Sequence, residues 1–335
     1  MRTSSPAIDD RIVACAGPGG VVTAEALAHA HINHASVATR VKAGWLEHWH
    51  RGLFVVAHLR SDLTPASLVQ ARCPNAVAMG RTAAWMYGLD GFDRLADLPP
   101  EVIAYTEHVT PRRHHGKIPN LFVAAVGPAD VCIRHGLRVL KPLPTLVSLG
   151  ALVDLDTLEA ATESVLRRYS RRHLKAALLE EQISNLASST PVSPGQQALL
   201  HVMERRGWGT PPTESYLETR AIQRVLRPAG LAHWRQVPVW ANGAFVGRFD
   251  FELESGLLVE THGMATHATK AGVQRDAWRA TSLRLAGRDV ESITWDDVHR
   301  RPGITGRRLR RRSEQIAIAI AARGQIEQVF AKVEA

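Results

Sequence analysis

Residues 245–276 read FVGRFDFELESGLLVETHGMATHATKAGVQRD, and the fold of the C-terminal half turns on them. Phe249 to Leu253 alternates apolar and acidic residues, as a strand with one buried face does. Glu254-Ser255-Gly256 supplies a turn, and Leu257-Leu258-Val259 is a continuous apolar run. The spacing predicts two short paired strands. Asp250 falls inside the first and Glu260 closes the second, followed by Thr261 and His262. Two carboxylates at the ends of paired strands suit a hard divalent cation. Mg²⁺, or Mn²⁺ in its place, needs only one or two carboxylates and completes its shell with water and phosphate oxygens. Such an ion both activates water and stabilises a leaving oxygen in phosphodiester cleavage. Taken alone, the D-x9-E-x-H spacing fits equally a strand that carries acids on a solvated face.

The surroundings narrow the choice. In order come Gly247-Arg-Phe-Asp250-Phe, Leu257-Leu-Val-Glu260-Thr-His262-Gly263, His267, Arg275-Asp276-Ala-Trp-Arg279, Gly287-Arg-Asp-Val290 and Ile293-Thr-Trp-Asp296-Asp297-Val298. Over roughly Ser215 to Arg301 this succession resembles the small endonuclease-fold domains related to the very short patch repair endonucleases, a branch of the PD-(D/E)XK superfamily. The resemblance implies a restriction-endonuclease-like α/β domain at 215–301 and Mg²⁺-dependent hydrolysis of DNA. Asp250 and Glu260 would hold the metal, His262 and His267 would handle protons or phosphate, and Arg275 with Arg279 would neutralise charge. His262 stands where those domains carry an acid, and the superfamily's usual lysine is absent there.

Glu218 has two readings. In the nuclease family the glutamate of the first helix points at the metal. Ser215 and Glu218 also have the S-x-x-E spacing of a capping box, ahead of a helix with Leu217, Ala221 and Val225 on one side. His262 and His267 likewise fit a general base or phosphate ligand, or else a loop cap and a solvated side chain.

Residues 1–58 form a second unit. A short helix from Ile8 to Ala14 ends at Gly17-Pro18-Gly19-Gly20. Thr23 caps a helix through Ala30, Ser36 to Ala43 is a third, and Trp45–Trp49 with Leu53–Val56 makes a hairpin. Three helices and a hairpin predict a winged helix-turn-helix. Its third helix offers Ser36, Thr39, Arg40 and Lys42 to a major groove and its phosphates, and the hairpin tip offers Arg51. The other use of such a fold is protein contact. Gly44-Trp-Leu and Arg51-Gly-Leu-Phe-Val resemble the N-terminal domain of AbiEi-type antitoxins of type IV toxin–antitoxin systems.

Residues 59–186 predict a mixed α+β connecting domain. A helical region runs from Ala71 to Tyr87, strands lie at Val102–Tyr105, Leu121–Val126 and Arg138–Leu140, and helical patterning covers Pro144 to Leu166. The basic turn Pro111–Lys117 is either a phosphate contact or a solvated hairpin tip. The segment resembles the piece joining antitoxin-like and endonuclease-like domains in actinobacterial-type proteins. LASSTPVSPGQ at 186–196 reads as a linker, part of a linker and short helix at 187–214. The 302–335 tail reads as a basic arm, carrying Arg307, Arg308, Arg310, Arg311 and Arg312, followed by a helix capped by Ser313.

Composition sets the bounds. At 335 residues and 45% apolar, the chain supports several cores, and a net charge of +9 favours a polyanionic partner. Cys15, Cys73 and Cys132 lack metal-ligand spacing and are expected reduced and mostly buried. MRTSSPAIDD lacks the apolar core of a signal peptide, and no apolar run approaches the ~18 residues of a membrane span. The expectation is a cytoplasmic multidomain α+β and α/β protein that binds DNA and no membrane. Its activity is either Mg²⁺-dependent cleavage or, as an antitoxin-like repressor with a cognate toxin or other protein partner, none.

Overall fold

Thr23 ends strand β1 (Val21–Thr23) and caps helix α2 (Ala24–His29), its hydroxyl accepting the Ala26 N–H at 3.1 Å. Helix α1 (Pro6–Ala14) precedes it. Asn33 caps helix α3 (His34–Lys42) by accepting the Ser36 N–H at 2.8 Å, so α3 begins two residues before the Ser36 expected from sequence. Strands β2 (Leu46–His50) and β3 (Leu53–Val56) follow as a hairpin, and β1 joins the open edge of β3 to give the antiparallel order β1-β3-β2. Ile12, Val22, Leu27, Val37, Leu46 and Val56 form the core of this part. The structure is a computed structural model and describes residues 6–93, 102–105, 121–124, 126–171, 176–188, 191–241, 243–263, 278–279, 281–283 and 286–333.

A five-stranded mixed sheet comes next, in the order β6-β5-β4-β8-β7. It comprises β4 (Ala76–Ala78), β5 (Val102–Tyr105), β6 (Leu121–Ala124), β7 (Val131–Arg134) and β8 (Leu137–Leu140). The helical region predicted from Ala71 to Tyr87 is instead α4 (Thr64–Arg72), then β4, then α5 (Gly80–Tyr87). Pro74 explains the break, because it disfavours helix in Cys73 and has no N–H to continue one. The basic turn at 111–117 lies outside the described residues. All three cysteines are half-buried.

Four helices follow: α6 (Pro142–Gly150), α7 (Leu155–Arg171), α8 (Ala176–Ser184) and α9 (Pro194–Arg206). The end of the stretch read as a linker is anchored to α6. Ser193 and Gln196 exchange hydrogen bonds at 2.7 and 3.3 Å. Gly195 is buried so closely on α6 that a methyl there would overlap the Val147 carbonyl oxygen.

The chain divides into two compact units, Met1–Ala161 with Ile183–His201, and Thr162–Gln182 with Val202–Ala335. The 59–186 segment therefore supplies elements to both. Within the second unit, Glu163 is buried between Arg206, at 3.0 Å, and Arg235, at 2.6 Å. Burial pushes its carboxyl upward, but the two guanidinium groups pull harder and leave it below the usual range.

The second unit carries the quoted stretch. Helix α10 (Tyr216–Ala221) continues into a π-turn at Ile222–Leu226. Strands β9 (His233–Ala241), β10 (Ala244–Leu253) and β11 (Leu258–His262) form an antiparallel meander. Strand β12 (Val290–Thr294) then returns parallel to β11, giving the order β12-β11-β10-β9. Both faces are covered. Phe251, Val259 and Ile293 pack on Leu217, Ala221 and Val225, with Val298 of α11 (Trp295–His299) and Leu309 of α12 (Pro302–Val333). Phe249 and Leu258 pack with Val239 and Leu283. Two-sided burial is why Leu257-Leu258-Val259 reads as an unbroken apolar run. Among the described residues no helix is long and apolar enough to cross a membrane.

Candidate active site

Asp250 and Glu260 come together through strand register. β10 and β11 pair Phe251 with Val259, and one further step sets Asp250 across from Glu260. The Asp250 carboxylate is held by Thr261, whose N–H and hydroxyl both donate to Oδ2, at 2.7 and 2.8 Å. Glu260 pairs with Arg279 at 2.8 Å. Arg279 also donates to the Arg248 carbonyl at 3.1 Å and lies 4.1 Å over the Phe249 ring. It reaches this place across Gly247, where a Cβ would come within 2.7 Å of the Arg279 Nε. Arg279, expected as a phosphate contact, is therefore first a partner of Glu260.

Glu218, on α10, lies close enough to Asp250 for the two charges to interact. It is 4% exposed, and its two sequence readings meet in one geometry. Ser215 does cap the helix, its Oγ accepting the Glu218 N–H at 3.1 Å. The carboxylate does not close a capping box on Ser215. Its Oε2 instead accepts the Glu214 N–H and the Gln236 side-chain amide, each at 2.8 Å. Burial raises the Glu218 carboxyl to about 7, and the negative charge of Asp250 adds to the rise. Burial, with Asp250 beside it, therefore favours the protonated form of Glu218.

Gln236 was not legible in the sequence. It sits in the middle of β9 with φ +53°, a left-handed conformation that is unusual for a residue with a side chain. Such backbone strain persists only where its surroundings impose it, and here the strained residue grips the buried Glu218. Thr261 carried a signal, lying between Glu260 and His262. Ser292 carried none. His262 is exposed at the end of β11, with Nε2 3.1 Å from the Ser292 hydroxyl and Thr294 of β12 alongside in the ladder. His267 and Arg275 lie outside the described residues.

The predicted DNA contacts separate into free and engaged groups. On α3, Thr39 and Lys42 are exposed, Ser36 is half-buried, and Arg51 is exposed at the hairpin turn. Arg40 corrects the expectation: it is 4% exposed, pairs with Asp9 and donates to the Ser36 carbonyl, tying α3 to α1. The basic arm is also corrected. Residues 302–312 are the first turns of one continuous helix, α12, docked through Thr305 and Leu309. Ser313 lies inside that helix and meets the Ser255 hydroxyl at 2.7 Å. Arg308 faces Glu291 at 3.6 Å, Arg312 pairs with Asp289 at 3.2 Å, and Arg310 donates to the Ala229 carbonyl. Arg307 and Arg311 remain exposed, with no anionic partner among the described residues.

The residues present fit a hard cation in kind, because every donor is a carboxylate oxygen and the Glu218–Asp250 pair carries uncompensated negative charge. Among the described residues no three His, Cys, Asp or Glu side chains already form a metal-holding group.

No family model matches the chain, and no curated protein does. Among solved structures it is similar to the crystal structure of the RV2827C protein from Mycobacterium tuberculosis. That match has 20% identity over 58% of this chain and 81% of that one, with a TM-score of 0.31, a likeness too slight to carry an argument.

Proposed function

We propose that the protein binds DNA and that its second unit is a divalent-metal phosphodiesterase of the PD-(D/E)XK type. The observation that carries this is the approach of Glu218 on α10 to Asp250 on β10, which with burial raises the Glu218 carboxyl to about 7, and the register that sets Glu260 of β11 across from Asp250. The resemblance to the very short patch repair endonucleases expects a first-helix glutamate and two strand acids at the metal, and Glu218, Asp250 and Glu260 stand on α10, β10 and β11.

Asp250, Glu218 and Glu260 are the carboxylates that would hold Mg²⁺ or Mn²⁺, although Glu260 is paired with Arg279. The ion supplies a nucleophilic water at neutral pH and charge stabilisation for the leaving oxygen. Thr261 orients Asp250, Gln236 orients Glu218, and Arg279 offsets charge beside Glu260. His262, exposed at the end of β11 with its Nε2 3.1 Å from the Ser292 hydroxyl, would face the substrate. In the first unit, α1-β1-α2-α3-β2-β3 with sheet order β1-β3-β2 has the connectivity of a winged helix, with Thr39, Lys42 and Arg51 as its outward DNA contacts.

The second reading is a non-catalytic antitoxin-like repressor. The Glu260–Arg279 ion pair favours it, because a paired carboxylate is a poorer metal ligand. Calorimetric titration of Mg²⁺ or Mn²⁺ between pH 6 and 8 separates the two. Metal binding with release of a proton from Glu218 supports the phosphodiesterase, and no binding with or without DNA supports the repressor.

A further inference from the structure

Six of the eight tryptophans are at least 39% exposed, although large aromatic rings are usually held inside or at interfaces. Trp295 stands at the rim of the candidate site, directly after Thr294, which pairs with His262 in the β11–β12 ladder. Tyr216, 36% exposed, opens α10 two residues before Glu218. Both rings are dressed with cations. Arg220 lies 5.9 Å over Tyr216, and Arg300 lies 6.0 Å over Trp295. The His299 ring stacks on Trp295 at 4.1 Å, 13° from parallel. Arg224 donates to the His299 carbonyl at 3.2 Å, joining the π-turn after α10 to α11.

Exposed rings interleaved with arginines suit a polyanion that also presents flat apolar faces. A closed duplex presents phosphates but hides its base faces in the stack. A single strand presents both, and every base has a face that stacks on an aromatic ring. We propose that Tyr216, Arg220, Trp295, His299 and Arg300 form a stacking platform for unpaired bases, so that the second unit engages single-stranded or locally opened DNA. Trp295 and Tyr216 take bases, and Arg220 and Arg300 take the flanking phosphates. The inference rests on the phosphodiesterase reading for what happens to the strand afterwards, but not for the binding itself.

The test uses the full chain in EDTA, with a fluorescent 30-mer of thymidine and a random 30-base-pair duplex at several salt concentrations. Wild type is expected to bind the single strand with quenching of tryptophan emission. Trp295→Ala should weaken that binding about tenfold while leaving duplex affinity within about twofold, since the winged helix is untouched. Trp295→Phe keeps a ring and should retain most single-strand affinity, which guards against misfolding as the cause. Failure to bind the single strand, or equal affinities for wild type and Trp295→Ala, overturns the platform. Metal-dependent cutting of duplex alongside that result leaves the phosphodiesterase reading intact. Loss of single-strand binding in Trp295→Ala, with no DNA cut in Mn²⁺, overturns the phosphodiesterase and leaves the platform.

Discussion

Asp250 takes both hydrogen bonds to its Oδ2 from one residue, Thr261: the backbone N–H at 2.7 Å and the hydroxyl at 2.8 Å. A side chain on one strand is thus fixed by the next strand just where the regular ladder ends. The carboxylate is preorganised without any cation. Thr261→Val keeps the N–H and removes the hydroxyl, so unfolding free energy should fall by roughly 1.5–3 kcal/mol, as for a hydrogen bond to a charged group. Thr261→Ser should restore most of it. Urea titration of the three proteins checks this, and a Val variant as stable as wild type contradicts it.

Glu218 gives the stability a pH dependence with a definite sign. Its carboxyl is raised from 4.5 to about 7 in the folded chain, so the folded state binds the extra proton. The resulting stabilisation is complete below about pH 4.5, the unfolded value, and is lost as pH rises through 7. The loss amounts to roughly 3 kcal/mol. Glu218→Gln should remove that slope and leave the variant more stable than wild type at pH 8. Denaturant midpoints at pH 5 and pH 8 report it directly.

Gly195 meets the backbone of α6 with no room for a side chain. Gly195→Ala should cost about 1–3 kcal/mol, the range for overpacking a tight contact. Limited proteolysis should then cut faster around 186–196 than in wild type. An unchanged melting temperature and digestion pattern would show that α6 and α9 are not closely packed there.

Arg307 and Arg311 of α12 are exposed with no acidic partner among the described residues, whereas Arg308 and Arg312 face Glu291 and Asp289, and Arg310 is tied to the Ala229 carbonyl. Replacing the first two with alanine should weaken binding to all DNA sequences alike and flatten the salt dependence, by a slope of about 1 for each lost phosphate contact. Replacing Arg308 and Arg312 should instead loosen the packing of α12. Affinities measured between 50 and 200 mM salt, beside melting curves, distinguish the two pairs.

What the sequence made legible follows the length scale of each interaction. The turn at Glu254-Ser255-Gly256, the Thr23 cap and the Asp250 and Glu260 positions are local patterns, and the structure places them as the spacing predicts. Strand β1 has only three residues, and it forms because β3 offers an open edge, which no local pattern announces. Arg40 looked exposed by its helical position, but Asp9, thirty-one residues earlier, draws it inward. The arginine run at 307–312 looked like a solvated arm because its acids, Glu291 and Asp289, come from the preceding strand region. Gln236 was invisible for the same reason: its role depends on a left-handed backbone and on a glutamate eighteen residues away.

The central claim is that Glu218, Asp250 and Glu260 support metal-dependent phosphodiester hydrolysis. It is tested most directly by incubating supercoiled plasmid and a single-stranded circle with purified protein and Mn²⁺, then resolving nicked and linear products. Wild type should nick at least one of the two, EDTA should abolish the nicking, and Asp250→Asn should abolish it while still binding DNA at least as tightly, because a charge that repels phosphate has gone. No nicking of either DNA by wild type, or nicking that survives Asp250→Asn, would contradict it.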